Sequence, residues 1–258
     1  MRKKFEGILL VLDFDGTLSY RRNISRENSE AIRYFQENGG LFTLASGRQL
    51  GWMEQWKHLV CPNTLLSLVN GAVICDPEEQ EIYFREYSGR ALLELSDRIF
   101  EACPKLEFVN HSLEGELYRQ EPGEILTPEI LERPVYKSVY HALAEDSDEY
   151  TARIREIAGE EFVVMRSWIN GIEVLRRDLN KGSALRRMKT ILGDAVRLTV
   201  AAGNYENDID LLQAADIGYA VGDSIPSVKA VADRITVNCA DHAIAAIIAE
   251  LEQRDLIH

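Results

Sequence analysis

Short apolar runs recur along the chain, and several stop abruptly at polar, glycine-containing turns. Ile8-Leu9-Leu10-Val11-Leu12 has the length and composition of a fully buried strand, and it ends at Asp13-Phe14-Asp15-Gly16-Thr17-Leu18. Ser25 then reads as an N-cap, and Ala31, Ile32 and Phe35 at helical spacing predict a helix to about residue 38, closed by Gly39-Gly40. Residues 41–45 form a second buried strand ending at Ser46-Gly47-Arg48. A strand, helix and strand of these lengths make a βαβ unit, whose strands are parallel and whose ends open on one crevice. A helix over 49–59, a strand over 65–69 and a hairpin of 72–75 with 81–84 follow.

Beyond residue 85 the pattern changes. An amphipathic helix is predicted over 88–102, with Leu92, Leu95, Ile99 and Phe100 inward. Alternating segments follow at 105–110, 113–119 and 135–141, with a Pro- and Glu-rich loop over 120–134. A helix over 147–159 and strands over 162–167 and 171–177, turning at Trp168-Ile169-Asn170-Gly171, complete this stretch. Hairpin-linked strands here contrast with βα alternation elsewhere. The chain therefore divides into an α/β core of residues 1–85 and 179–258 and an inserted α+β module of residues 86–178. In the insert, Tyr118, His111, His141 and Trp168 are candidate contact residues only, since packing or a surface position explains each of them more readily.

On return to the core, Lys181 opens a helix whose inner face is Ala184, Leu185, Met188, Ile191 and Leu192. A strand over 196–201 runs into Ala202-Gly203-Asn204-Tyr205-Glu206-Asn207-Asp208. The tail alternates again, with strands over 217–221 and 234–237 and helices over 225–232 and 241–252. Gly222-Asp223-Ser224 reads as a turn and N-cap.

Composition narrows the function. Apolar residues make up 46% of the chain and charged residues 28%, and 29 Lys plus Arg against 42 Asp plus Glu give a net charge of −13. Such acidity argues against a nucleic-acid surface. Met1-Arg2-Lys3-Lys4 mimics the start of a signal peptide, but its apolar stretch is too short and runs into Asp13, and no segment approaches membrane-spanning length. Cysteines 61, 75, 103 and 239 show no CxxC spacing and read as buried thiols in a reducing cytoplasm.

Strand alternation puts Asp13 and Asp15 on one side at a strand end. A polar turn explains either residue alone. Two repelling carboxylates in a ligand-binding crevice make better sense with a cation or a proton-transfer task. Lys181 poses the complementary puzzle, because a helix N-terminus disfavours a cation unless an anion lies beside it.

The hexapeptide of residues 13–18 resembles the first motif of the haloacid dehalogenase superfamily, mostly Mg²⁺-dependent phosphatases that work through an aspartyl-phosphate. The resemblance implies that Asp13 is the nucleophile and Asp15 the general acid/base. Ser46-Gly47-Arg48 is similar to the second motif, Lys181 to the third, and residues 203–208 to the fourth, commonly Gly-Asp-x-x-Asn-Asp. Here Asn204 stands where a metal-binding carboxylate usually does. Asn70-Gly71-Ala72 resembles a segment of the Cof-type branch, although Asn70 also reads as an ordinary turn residue. The insert resembles a C2-type (subclass IIB) cap, which implies a cover that excludes water and sets specificity.

The fold so implied is a Rossmann-like parallel sheet core with an inserted α+β cap domain. Asp13, Asp15 and Lys181 would be catalytic, and Ser46, Gly47, Arg48 and Asn207 would bind the phosphoryl group. Asp13, Asp15 (through its carbonyl), Asn204 and Asp208 would hold Mg²⁺, more weakly than usual because Asn204 is neutral. The expected activity is hydrolysis of a small phosphate monoester such as a sugar phosphate, by a cytoplasmic monomer or small homo-oligomer without nucleic-acid or membrane partners. A phosphometabolite-binding module without strong catalysis is the alternative, and a phosphomutase a further one. A P-type pump is disfavoured, since Asp15 occupies a position that carries Thr there.

Overall fold

The computed structural model describes residues 3–49, 55–56, 58–77, 81–114 and 116–253. Its centre is β1 (Ile8–Leu12), in which every residue is buried. β1 pairs in parallel with β2 (Leu41–Leu44) on one side and with β11 (Leu198–Gly203) on the other. β12 (Ile217–Ala220) and β13 (Arg234–Ile235) extend the sheet to the order β13-β12-β11-β1-β2, all parallel. A strand buried on both faces needs apolar residues at every position, and the sequence of β1 meets that requirement.

On one face, Leu9 and Val11 pack with α5 (Lys181–Leu192), α6 (Ile209–Ala214) and α7 (Pro226–Val231) through Ala184, Leu185, Met188, Leu211 and Val228. Leu10 and Leu12 point the other way by alternation. Their side holds α1 (Arg26–Glu37) and α8 (Ala243–Gln253), with Ile32, Phe35, Ile244 and Ile247 buried. Asn28 Oδ1 accepts a hydrogen bond from Ala245 N at 3.0 Å, which pins α8 to α1. Ser25 caps α1 by accepting from Asn28 N at 3.2 Å.

Three further strands form a small sheet of β3 (Leu66–Leu68), β4 (Val73–Cys75) and β5 (Ile82–Arg85). β3 runs beside the end of β2, joined to it by a parallel Ala45–Ser67 bridge. The helix expected over 49–59 lies largely outside the described residues. So does part of the turn between β4 and β5.

The chain splits into two compact units, Met1–Phe84 with Asn180–His258, and Arg85–Leu179. The second unit is a five-stranded sheet of order β7-β6-β8-β10-β9. Its strands are β6 (Val109–Leu113), β7 (Glu116–Gln120), β8 (Val135–His141), β9 (Phe162–Trp168) and β10 (Gly171–Arg176), paired antiparallel. α2 (Arg90–Ala102) and α4 (Ser147–Ala158) cover one face around Leu92, Ile99, Tyr140, Ile154 and Ile172.

Three expectations need correction here. The segment 105–110 is mostly not strand. The chain leaves α2 through a turn in which Leu106 N donates to Cys103 O, and it becomes extended only where Val109 pairs with Tyr140. The loop over 120–134 contains a short helix, α3 (Pro128–Leu131), capped by Thr127 with Pro128 in its first turn. Cys61 is exposed, whereas Cys75, Cys103 and Cys239 are buried. No helix among the described residues is long and apolar enough to cross a membrane.

Candidate active site

Three parallel strand ends converge because β1 lies between β2 and β11. Asp13 prolongs β1 by donating its N–H to Ala202 O at 2.9 Å, and its side chain is buried. The next residues fold back tightly, with Leu18 N and Ser19 N both donating to Phe14 O. Gly16, at φ 83°, makes this possible; a Cβ there would lie 2.4 Å from Asn204 Nδ2. Asn204 accepts a hydrogen bond from Thr17 Oγ1 at 3.3 Å, which joins the first turn to the end of β11.

Lys181 is fully buried. Its Nζ donates to Asp13 Oδ1 at 2.6 Å and to Asp208 Oδ1 at 2.7 Å. Asn180 places it by capping α5, accepting from Ser183 N at 2.7 Å while Ser183 Oγ receives the Asn180 N–H at 3.1 Å. The helix sits close to its neighbours because Gly182 lets Asp210 O approach, a Cβ on Gly182 falling only 2.2 Å from that oxygen. A lysine at a helix start is thus matched by two carboxylates, and the ion pairs raise its pKa against the opposing effect of burial. Burial pushes the Asp13 carboxyl up to about 7, with Asp208 raising it further and Lys181 acting against the rise.

Both carboxylate oxygens of Asp208 are engaged by protein. Oδ1 faces Lys181, and Oδ2 accepts from Asn204 N at 2.8 Å and Tyr205 N at 3.1 Å. In this arrangement it orients Lys181 and the 204–205 main chain rather than offering an oxygen to a metal. Arg48 is likewise directed at protein. Its guanidinium forks onto Asp15, Nε to Oδ2 at 3.0 Å and Nη2 to Oδ1 at 3.1 Å, with both side chains about half exposed.

Ser46 is buried just past β2, its N–H donating to Ser67 O and its Oγ accepting from Arg48 N at 3.2 Å. Gly47 lies between them in the same turn. Asn207 is buried and donates through Nδ2 to Asn70 Oδ1 at 3.4 Å. Asn70 is more than a turn residue. It is fully buried in a left-handed conformation, φ 53°, and its N–H donates to Ser46 O at 3.0 Å, so it ties the second-motif turn to the fourth. An Asn-Gly pair at a strand end was the available signal; burial was not readable. Ser224 Oγ donates to Gly203 O at 3.2 Å and Ile225 N to Asn204 O at 3.2 Å, which brace the same loop from behind. Ile225, not Asp223 or Ser224, is the N-cap of α7.

In the second unit, His111 is buried between Ser138 Oγ (2.7 Å) and Gln120 Oε1 (2.9 Å). Burial lowers its pKa to about 4, so it is a neutral packing residue. His141 lies between the Phe108 and Trp168 rings, with centroids at 5.2 and 5.8 Å, and Tyr118 OH donates to Glu124.

Among the described residues no three His, Cys, Asp or Glu side chains form a ready metal cage. The fit to Mg²⁺ rests on donor chemistry. Asp13, the Asp15 carbonyl and Asn204 Oδ1 are all hard oxygens, and among the described residues the buried pair of Asp13 and Asp208 shares the single ammonium of Lys181. The excess negative charge, costly in a buried site, suits a cation with few protein ligands and several waters.

The haloacid dehalogenase-like hydrolase profile matches residues 10–248. The chain belongs to that family. Among its relatives, phosphatase YwpJ of Bacillus subtilis is 26% identical over 287 aligned positions, covering 94% of this chain and 99% of YwpJ. A haloacid dehalogenase-like hydrolase from B. subtilis superposes with a TM-score of 0.80 at 22% identity, over 94% of this chain and 99% of the other. The subclass IIB sugar phosphatase BT4131 superposes with a TM-score of 0.74 at 19% identity, over 94% and 98% respectively. The α/β fold with a parallel sheet expected from the sequence is the fold of this family. As a member, the protein is a hydrolase of the phosphatase kind.

Proposed function

We propose that this haloacid dehalogenase-like hydrolase is a Mg²⁺-dependent phosphomonoesterase for a small soluble phosphate ester, acting through a phosphoryl group carried on Asp13. The observation that carries the reading is the buried ammonium of Lys181 within 2.7 Å of both Asp13 and Asp208. Three remote segments meet there, and so costly a cluster of buried charges, negative on balance, fits a site that holds a metal ion and, through it and the Lys181 ammonium, a phosphate.

In this mechanism Lys181 holds Asp13 Oδ1 and leaves Oδ2 to attack phosphorus. The new P–O bond forms as the ester P–O bond breaks, and Asp15 gives its proton to the departing alkoxide. Water then attacks the acyl-phosphate. Asp15 takes back a proton, inorganic phosphate leaves, and the Asp13 carboxylate is regenerated. The Arg48 fork keeps Asp15 at the mouth of the site until substrate arrives. Ser46, the turn at Gly47, Lys181 and Asn207 bind the phosphoryl oxygens, while Asp208 and Asn70 hold Lys181 and Asn207 in place. Asp13, the Asp15 carbonyl and Asn204 are the residues that would hold Mg²⁺, which offsets the negative charge of carboxylate and phosphate so that they can approach.

Asn204 favours a second reading, a phosphometabolite-binding module with little turnover. The two readings part on hydrolysis of p-nitrophenyl phosphate with and without Mg²⁺. Turnover that requires Mg²⁺ is expected. No turnover, together with a rise in Tm on adding phosphorylated ligands, would establish the binding module instead.

A further inference from the structure

Asp15 pairs with Ser19 by a β-bridge, and Gly16 N donates to Ser19 O at 2.9 Å, so the chain leaving the first turn starts beside the proposed acid/base. Tyr20 and Asn23 then exchange two main-chain hydrogen bonds, 2.9 and 3.0 Å, closing a hairpin whose two-residue tip is Arg21-Arg22. Both tip residues have positive φ, 49° and 60°. A two-residue hairpin of this kind favours Asn-Gly, and a left-handed conformation at two successive long side chains is strained. Strain of this sort recurs where a side chain must be presented for function.

Arg21 and Arg22 are exposed. Arg21 lies over the Tyr20 ring at 5.2 Å, and among the described residues neither guanidinium has a carboxylate partner. In a chain of net charge −13 two adjacent cations without counter-ions are conspicuous. From Ser19 the tip is about 7 Å away at the rise of an extended chain, and an arginine side chain reaches as far again. The hairpin thus starts at Asp15, the side on which a metabolite held by its phosphoryl group at Asp13 places its leaving group.

We infer that Arg21 and Arg22 form a subsite for a second anionic group, so that the preferred substrates are phosphomonoesters that also carry another phosphate or a carboxylate. The inference rests on the phosphatase reading and names its substrate class. Guanidinium forks match either anion, and the turn presents both without prior engagement by protein carboxylates. The subsite would also draw dianionic substrates toward an otherwise acidic molecule.

The test compares the parent with a double variant, Arg21→Asn with Arg22→Gly, which keeps the turn while removing both charges, and with Arg21→Lys with Arg22→Lys. Four substrates serve: p-nitrophenyl phosphate and glucose 6-phosphate with one anionic group, fructose 1,6-bisphosphate with a second phosphate, and 2-phosphoglycolate with a carboxylate. The Asn-Gly variant should raise KM about tenfold or more for one or both doubly anionic substrates, with kcat little changed. KM for the other two should stay within about twofold, and the Lys-Lys variant should retain part of the preference. The arm that responds tells phosphate from carboxylate. Equal KM changes for all four substrates, or none, would overturn the subsite. If the parent hydrolyses nothing, the phosphatase reading fails on its own, and calorimetric binding of fructose 1,6-bisphosphate against glucose 6-phosphate still reads the subsite: no loss of preference in the Asn-Gly variant overturns it.

Discussion

At Lys181 a fully buried ammonium is shared between Asp13 and Asp208, and removing it leaves two carboxylates facing each other without a cation. Lys181→Met should therefore lower stability by about 3–5 kcal/mol, read from denaturant unfolding, and reduce turnover at least about a hundredfold. A stable, active variant would mean that the two carboxylates do without the ammonium and that Lys181 is not part of the chemistry. Asn204 is the residue where this chain departs from its family's usual motif. Because its amide already reaches the Gly16 turn and Thr17, Asn204→Asp places a carboxylate at the same spot and should tighten Mg²⁺ binding about tenfold. Unchanged affinity would place the metal's ligands elsewhere. Motif and spacing alone single out Asp13, Asp15, Lys181 and Asn204 as candidates, because the proposed chemistry dictates residue type. The partners of Asp208 and the burial of Asn70 were not legible in this way, since both depend on how separate segments meet.

Among elements, α5 and α6 approach closely enough that Gly182 has no room for a side chain. Gly182→Ala gains helix propensity of about 1 kcal/mol, yet its Cβ would collide with the Asp210 carbonyl. The clash should win, with a net loss of about 1–2 kcal/mol in stability and a fall in kcat, because the neighbouring Lys181 is displaced. A stabilised variant of full activity would contradict this packing. Element type was legible wherever periodicity ran long, as in β1 and α1. Register and boundaries were not. The alternation at 105–110 suggested a strand, but pairing with β8 starts only at Val109, and no local signal distinguishes the two choices. α3 was lost in a loop despite its Thr127-Pro128 start, because four residues carry no periodicity.

Over the whole molecule, two units answer to different constraints. In the unit of residues 85–179, His111 is held neutral: its pKa is about 4, against an ordinary 6.5, so the unfolded chain binds the extra proton between those values. Its contribution to stability is fully present above pH 6.5 and is lost as pH falls toward 4, by up to about 3 kcal/mol. His111→Gln should flatten that part of the Tm-against-pH curve, and an unchanged acid limb would assign the loss to other groups. The unit built from the two chain ends assembles the candidate site. Its parallel order brings together segments beginning at residues 13, 46 and 204, and the chain re-enters it one residue before Lys181. The βα alternation made this topology legible; the natural substrate is not encoded in it.

The most direct test is where the phosphoryl group goes. Enzyme mixed with Mg²⁺ and a ³²P-labelled phosphomonoester, quenched in acid during turnover and digested, should carry label on the peptide containing Asp13, and Asp13→Asn should carry none. Steady turnover with label never found on Asp13, or label retained in Asp13→Asn, would contradict the account.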